Sequence, residues 1–322
     1  MKHRLEWIDA ARFFAITAVV LGHILGFLTT KVIPAYRIAQ DIIVAFNMPL
    51  FFILTGYVSL NKISMSSLSE LVTYIIRNAM RIMLPWLIFN ILLLPFCDYH
   101  FSSAFWFLPI LFRVQCLIFI PITLFNILDS SVQSKYIQTV IPYAKWLSVA
   151  ALAYLLGNRT TEFVPYFIVG MIMAKCNFVD TLSKYYVIAG VLVAFILLTW
   201  TSKFSFYVSE SHALLMHAPH KWVGRELVAI LLCIAILYVF KNTGSITSKL
   251  CKYGNMTLGI YLIHDYIIEC VINKYFHWTL DLTEWGGWII VIIVWIVTLS
   301  VCIGIITLLR KNKYTALFLL GE

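Results

Sequence analysis

Two ionisable side chains interrupt the first apolar run of this 322-residue sequence. In I-D-A-A-R-F-F-A-I-T-A-V-V-L-G-H, residues 8–23, Arg12 and His23 stand 11 positions apart. On a helix that is three turns plus about 20°, which puts both on one face, about 16 Å apart along the axis. Asp9 lies one turn before Arg12, within pairing reach. Ionisable groups in hydrocarbon are costly and mark functional sites by default. Histidine is the side chain best suited to take a proton from a hydroxyl near neutral pH, so His23 is a candidate general base. A purely structural reading competes: Arg12 snorkels to the headgroups and His23 hydrogen-bonds to a neighbouring helix. Arg113 and Gln115, and His264 with Asp265, are the other polar groups inside apolar runs. Arg113 then needs a partner in the bundle, with Asp265 or Glu226 as the candidates.

The elements that carry these groups follow from composition. The chain is 61% hydrophobic and 12% charged, with a mean hydropathy of +0.89; soluble domains carry about 25% charged residues. Continuous apolar runs exclude a soluble protein, a single-anchor enzyme and an outer-membrane barrel, whose segments would alternate apolar and polar. Transmembrane helices are expected near residues 7–28, 41–60, 71–94, 105–128, 144–157, 163–175, 185–201, 223–240, 255–273 and 287–309. The loop at 157–162 is read as a tight outer hairpin or the tip of a re-entrant pair. The fold class is therefore all-α: a polytopic helix bundle of about ten spans, one membrane-embedded domain over residues 1–322, with 311–322 a short cytoplasmic tail. With the N-terminus inside, the 24 basic residues favour the inner loops roughly two to one, which places both termini in the cytoplasm. The run after Lys2 and Arg4 is read as the first span, not a signal peptide, because Arg12 and His23 interrupt it.

Other classes fall away. A net charge of +9 scattered over short loops forms no nucleic-acid patch. Seven cysteines without a C-x-x-C pair encode neither a disulfide framework nor a zinc site. The H-x4-H-x2-H spacing of His212, His217 and His220, in a loop that also carries Glu210, matches no common ligand pattern, and no metal is expected.

Six ordered motifs resemble the membrane acyltransferase 3 family, in the branch similar to fucose 4-O-acetylase. They are Arg12-x10-His23, F-N-M-P-L-F-F-I-L-T-G-Y at 46–57, Arg77-x3-Arg81 before Pro85, F-W-F-L-P at 105–109, F-V-P-Y-F-I-V-G at 163–170, and Y-G-N-M-T-L-G-I-Y-L-I-H at 253–264. Asn47 replaces the family's more frequent His, and Thr55 its Ser; Asn cannot titrate, so any acid–base work at that position is done otherwise here.

The resemblance implies an integral-membrane O-acetyltransferase of the bacterial inner membrane that moves acetyl from acetyl-CoA to a hydroxyl of a surface glycan or lipid-linked precursor. It implies His23 as the catalytic histidine and Arg12 as its partner. His23 then either deprotonates the acceptor hydroxyl or first accepts the acetyl group itself. Arg77 and Arg81 are candidate contacts for the donor's phosphates, or else a product of the positive-inside rule. Asn47 and Thr55 lie in a segment that Pro49 is expected to bend or break; Asn47 orients substrate or packs. Trp106 joins an aromatic belt or stacks a sugar. Arg113 and His264 complete the substrate-binding candidates, His264 as a polar wall or a second base. Membrane lipids are further partners, and a homodimer is compatible with the sequence. A transporter or flippase of an envelope glycan precursor is the competing class, marked by internal repeats that this sequence does not show.

Overall fold

The structure is a computed structural model that describes residues 5–28, 34–93, 105–132, 134–156, 158–201, 219–268, 272 and 285–322. The loop histidines His212 and His217, with Glu210, lie outside the described residues, as do Lys2 and Arg4; the side chain of His220 does too.

The described chain is helical from end to end. α1 spans Glu6–Leu28 and α2 Pro34–Ser59; α3, Leu68–Asn78, continues through a π-helical turn, Ala79–Met83, into α4, Leu84–Leu93. α5 is Phe107–Ser131, α6 Lys135–Leu156, α7 Asn158–Lys175, α8 the single turn Phe178–Thr181 and α9 Lys184–Thr201. α10 covers Pro219–Asn242, α11 Gly244–Leu250, then a 3-10 turn Cys251–Met256 leads into α12, Thr257–Tyr266. α13, Trp285–Leu309, and α14, Lys313–Leu320, complete the bundle. Among the described residues, six helical stretches are long and apolar enough to cross a membrane: 6–26, 39–62, 68–92, 107–131, 223–242 and 287–309. The all-α polytopic architecture is as expected. α6 starts nine positions before the expected 144, and α7 begins at Asn158.

α1 is the central helix. Ala10, Ala11, Ala15, Ile16, Val19 and Val20 are all fully buried, and small side chains on its face let neighbours approach closely. A Cβ on Gly254 would strike the Asp9 backbone, so the 3-10 turn lies directly against the start of α1, and α12 then runs alongside α1 in the same direction. Trp295 of α13 donates its indole N–H to the Thr17 carbonyl of α1 at 2.8 Å.

α2 and α7 meet through paired glycines. A Cβ on Gly56 would meet the Phe167 carbonyl, and one on Gly170 the Ile53 carbonyl; backbone-to-backbone approach of this kind is what small residues permit in a membrane bundle. Pro49 does not break α2, which runs unbroken from Pro34 to Ser59. Proline offers no N–H to the carbonyl four residues back, that of Ala45.

Candidate active site

α1 is one unbroken helix from Glu6 to Leu28, and the site along it is divided in two. Arg12 and His23 open into different cavities, stacked along α1.

The first cavity, about 720 Å³, is lined by Asp9 and Arg12 of α1, Thr55 and Ser59 of α2, Lys62, Arg81, Gln115 and, from the chain's last residues, Leu320, Gly321 and Glu322. Its polar wall is organised. Arg12 Nη1 lies 3.5 Å from Asp9 Oδ1. Gln115 Oε1 accepts from the Tyr74 hydroxyl at 3.0 Å and from Asn78 Nδ2 at 2.5 Å. Thr55 donates to the Phe51 carbonyl at 2.7 Å. α14 closes one side: Gly321 takes the left-handed conformation, φ 67°, and a Cβ there would strike the Arg81 carbonyl. Glu322 pairs with Arg310.

The second cavity, about 410 Å³, is lined by His23, Gly26, Gln40, Asn47, Pro49 and Trp106 together with Glu162, Tyr166 and Arg225. The side chain of His23 is 39% exposed to it, and His23 Nδ1 stands 3.2 Å from Oδ1 of Asp265, whose side chain is 5% exposed. The His264 ring packs edge-on against His23 with centroids 5.1 Å apart. His264 Nδ1 lies 2.9 Å from the Ile260 carbonyl, so Nδ1 carries the proton and Nε2 the lone pair. One ligand atom from each of His23, His264 and Asp265 falls within 4.8 Å of the others, a set with the chemistry to hold a divalent cation. Asn47 Oδ1 accepts from the Met48 N–H at 2.6 Å, which leaves its NH₂ as the donor. Trp106 presents its ring to the cavity, and the Arg159 guanidinium sits 5.0 Å from the ring centroid, a cation–π contact.

The structure thus gathers His23, Asn47, Trp106 and His264 at one level and Arg12, Thr55 and Arg81 at the other. Two expected placements change. Arg77 is exposed and, unlike Arg81, does not line the first cavity. Arg113 was expected to be buried and paired with Asp265 or Glu226; it is exposed on the outside of α5, Asp265 faces His23, and Glu226 pairs with Arg225 at 2.8 Å. Asp265 is the residue that sequence reasoning placed wrongly. Its position directly after the Y-L-I-H motif was the available signal.

A family described as an acyltransferase domain matches residues 5–307. Comparisons with curated proteins and with solved structures found no match.

Proposed function

The chain belongs to the acyltransferase 3 family, and on that premise we propose that it is an O-acetyltransferase of the bacterial inner membrane that takes acetyl from cytoplasmic acetyl-CoA and delivers it to a hydroxyl of an envelope glycan or its lipid-linked precursor. The observation that carries the reading is the His23–Asp265 contact of 3.2 Å in the wall of the second cavity. A carboxylate on Nδ1 fixes the imidazole so that Nε2 carries the lone pair and faces the cavity, and it stabilises the imidazolium that forms.

The step then balances as follows. His23 Nε2 takes the proton of the acceptor hydroxyl, the oxygen attacks the thioester carbonyl carbon, the C–S bond breaks, and the proton returns from His23 to the leaving sulfur. The NH₂ of Asn47 supplies a donor for the developing oxyanion. Asp265 acts through His23 and is a positioning residue.

The two cavities divide the substrates. Arg12, Lys62 and Arg81 gather positive charge in the first, which suits the donor's phosphates. Trp106 with Gln40, Glu162 and Arg225 gives the second an aromatic face and several hydrogen-bonding groups, which suit a sugar ring. Asp9 and Glu322 both line the first cavity, so the described start and end of the chain lie at one end of the bundle. The loop-charge asymmetry makes that end cytoplasmic.

The test is acetyl transfer by the purified protein, with acetyl-CoA and surface polysaccharide as substrates. Wild-type protein releases thiol and acetylates the glycan, and His23→Ala falls to background. Equal rates in the two proteins would sink the assignment.

A further inference from the structure

The two cavities share no lining residue, yet successive stretches of the same helices line one and then the other. On α1, Arg12 lines the first and Val19 the second; on α2, Phe51 and Thr55 line the first, Met48 and Pro49 the second. At the start of α5, Phe107 lines the first and Trp106 the second. On α12, Tyr261 lines the first, and His264, one turn on, packs against His23 of the second. The boundary therefore runs through Phe51, Phe107 and Tyr261. The Phe107 ring centroid is 5.4 Å from that of Phe51 and 5.5 Å from that of Tyr261, separations at which aromatic rings touch. All three are buried. The Tyr261 ring meets that of Phe107 at an interplanar angle of 61°, which joins the first turn of α5 to the helix that carries His264 and Asp265. Beyond the wall, the Tyr261 ring lies 5.8 Å from His264.

These rings stand between a thioester held in the first cavity and His23. Phe51 and Tyr261 sit inside their helices, whereas Phe107 is the first residue of α5, where the backbone N–H has no partner within its own helix. Phe107 touches Phe51, Phe52, Trp106 and Tyr261 and is the ring common to the whole wall.

We propose that Phe107, held by Tyr261, is a specificity-determining residue that partitions the donor cavity from the reaction centre, so that the acyl group is delivered to a bound hydroxyl in preference to water. The proposal rests on the transferase reading above. In the competing reaction, water in the His23 cavity attacks the thioester carbonyl carbon, one of its protons passes by way of His23 to the leaving sulfur, and the C–S bond breaks to give acetic acid and the thiol. A ring that must move for the thioester to advance limits this reaction. Its removal leaves the passage standing open.

The experiment reads the partition and the selectivity separately. Thr55→Cys, which lines the first cavity, is introduced into the full chain in sealed vesicles and treated with a membrane-impermeant thiol reagent from either side, with labelling of the parent's own cysteines subtracted. Acetyl-CoA hydrolysis without acceptor is measured beside transfer with it. With Phe107 intact, Thr55→Cys labels from the Arg12 side alone. Phe107→Ala raises labelling from the His23 side and the hydrolysis-to-transfer ratio, each about tenfold. Tyr261→Leu removes the ring against which Phe107 packs and moves both readouts the same way by about threefold; it carries the test if Phe107→Ala does not fold. One-sided labelling with an unchanged ratio in the folded variants overturns the proposal. Labelling that opens as expected in a protein that never consumes acetyl-CoA overturns the transferase reading instead, and the selectivity with it, while the partition stands.

Discussion

Asp265→Asn keeps the shape of the side chain and removes its charge, which isolates what the carboxylate does for His23. At the observed 3.2 Å, two full charges interact by about 5 kcal/mol at an effective dielectric of about 20. The His23 side chain is 39% exposed, so solvent screens roughly half of that, leaving about 2.5 kcal/mol for stabilising the imidazolium formed in the transition state. That energy corresponds to about a 60-fold fall in kcat. Asp265 does not line the donor cavity, so KM for acetyl-CoA stays within about twofold, the pattern of an interaction made in the transition state and not in donor binding. The assay is steady-state thiol release with acceptor present, on protein whose helicity and elution volume match wild type. A kcat within about threefold of wild type would refute the positioning role, and so would an equal loss carried by KM.

Three further outcomes follow from the same geometry. Arg81→Gln raises KM for acetyl-CoA about fivefold, the loss of one screened charge-assisted hydrogen bond, while Arg77→Gln stays within about twofold because its side chain is off the cavity; equal effects in a donor titration would contradict the division. Gly170→Leu drives a side chain into the Ile53 carbonyl and costs about 2–3 kcal/mol, seen as a lowered Tm in detergent, whereas Gly304→Leu, with open space at its Cβ, leaves Tm within a degree or so. Trp106→Ala removes the stacking face of the second cavity and raises KM for the glycan about tenfold with donor KM unchanged; a donor effect of the same size would place Trp106 elsewhere.

Much of the fold was legible because a bilayer dictates it: each apolar run of sufficient length must become a helix, and the polar residues that break a run then stand out. Arg12 and His23 were readable as one face of α1 from spacing alone. What spacing could not give was depth and partner. The four-residue interval between Arg77 and Arg81 could not say which of the two reaches a cavity; Arg81 does, where Gly321 comes against its carbonyl. α2 stays helical through Pro49, because a single missing N–H leaves the rest of its hydrogen-bond ladder in place. Arg113 and Asp265 were both legible as polar residues in apolar surroundings, but their pairing depends on how α12 lies along α1, which is set by the close approach of Gly254 to Asp9. The division into two cavities was likewise hidden, since Phe107 and Tyr261 look in sequence like any other core aromatics.

The central claim is that acetyl passes from a donor at the Arg12 end of the bundle to an acceptor at the His23 end. Its most direct measurement uses sealed vesicles of one orientation, with labelled acetyl-CoA on the Arg12 side and the glycan acceptor on the other. The account predicts labelled glycan on the far side, and none with His23→Ala. Acetylation only when donor and acceptor share a side, or at full rate without His23, would contradict it.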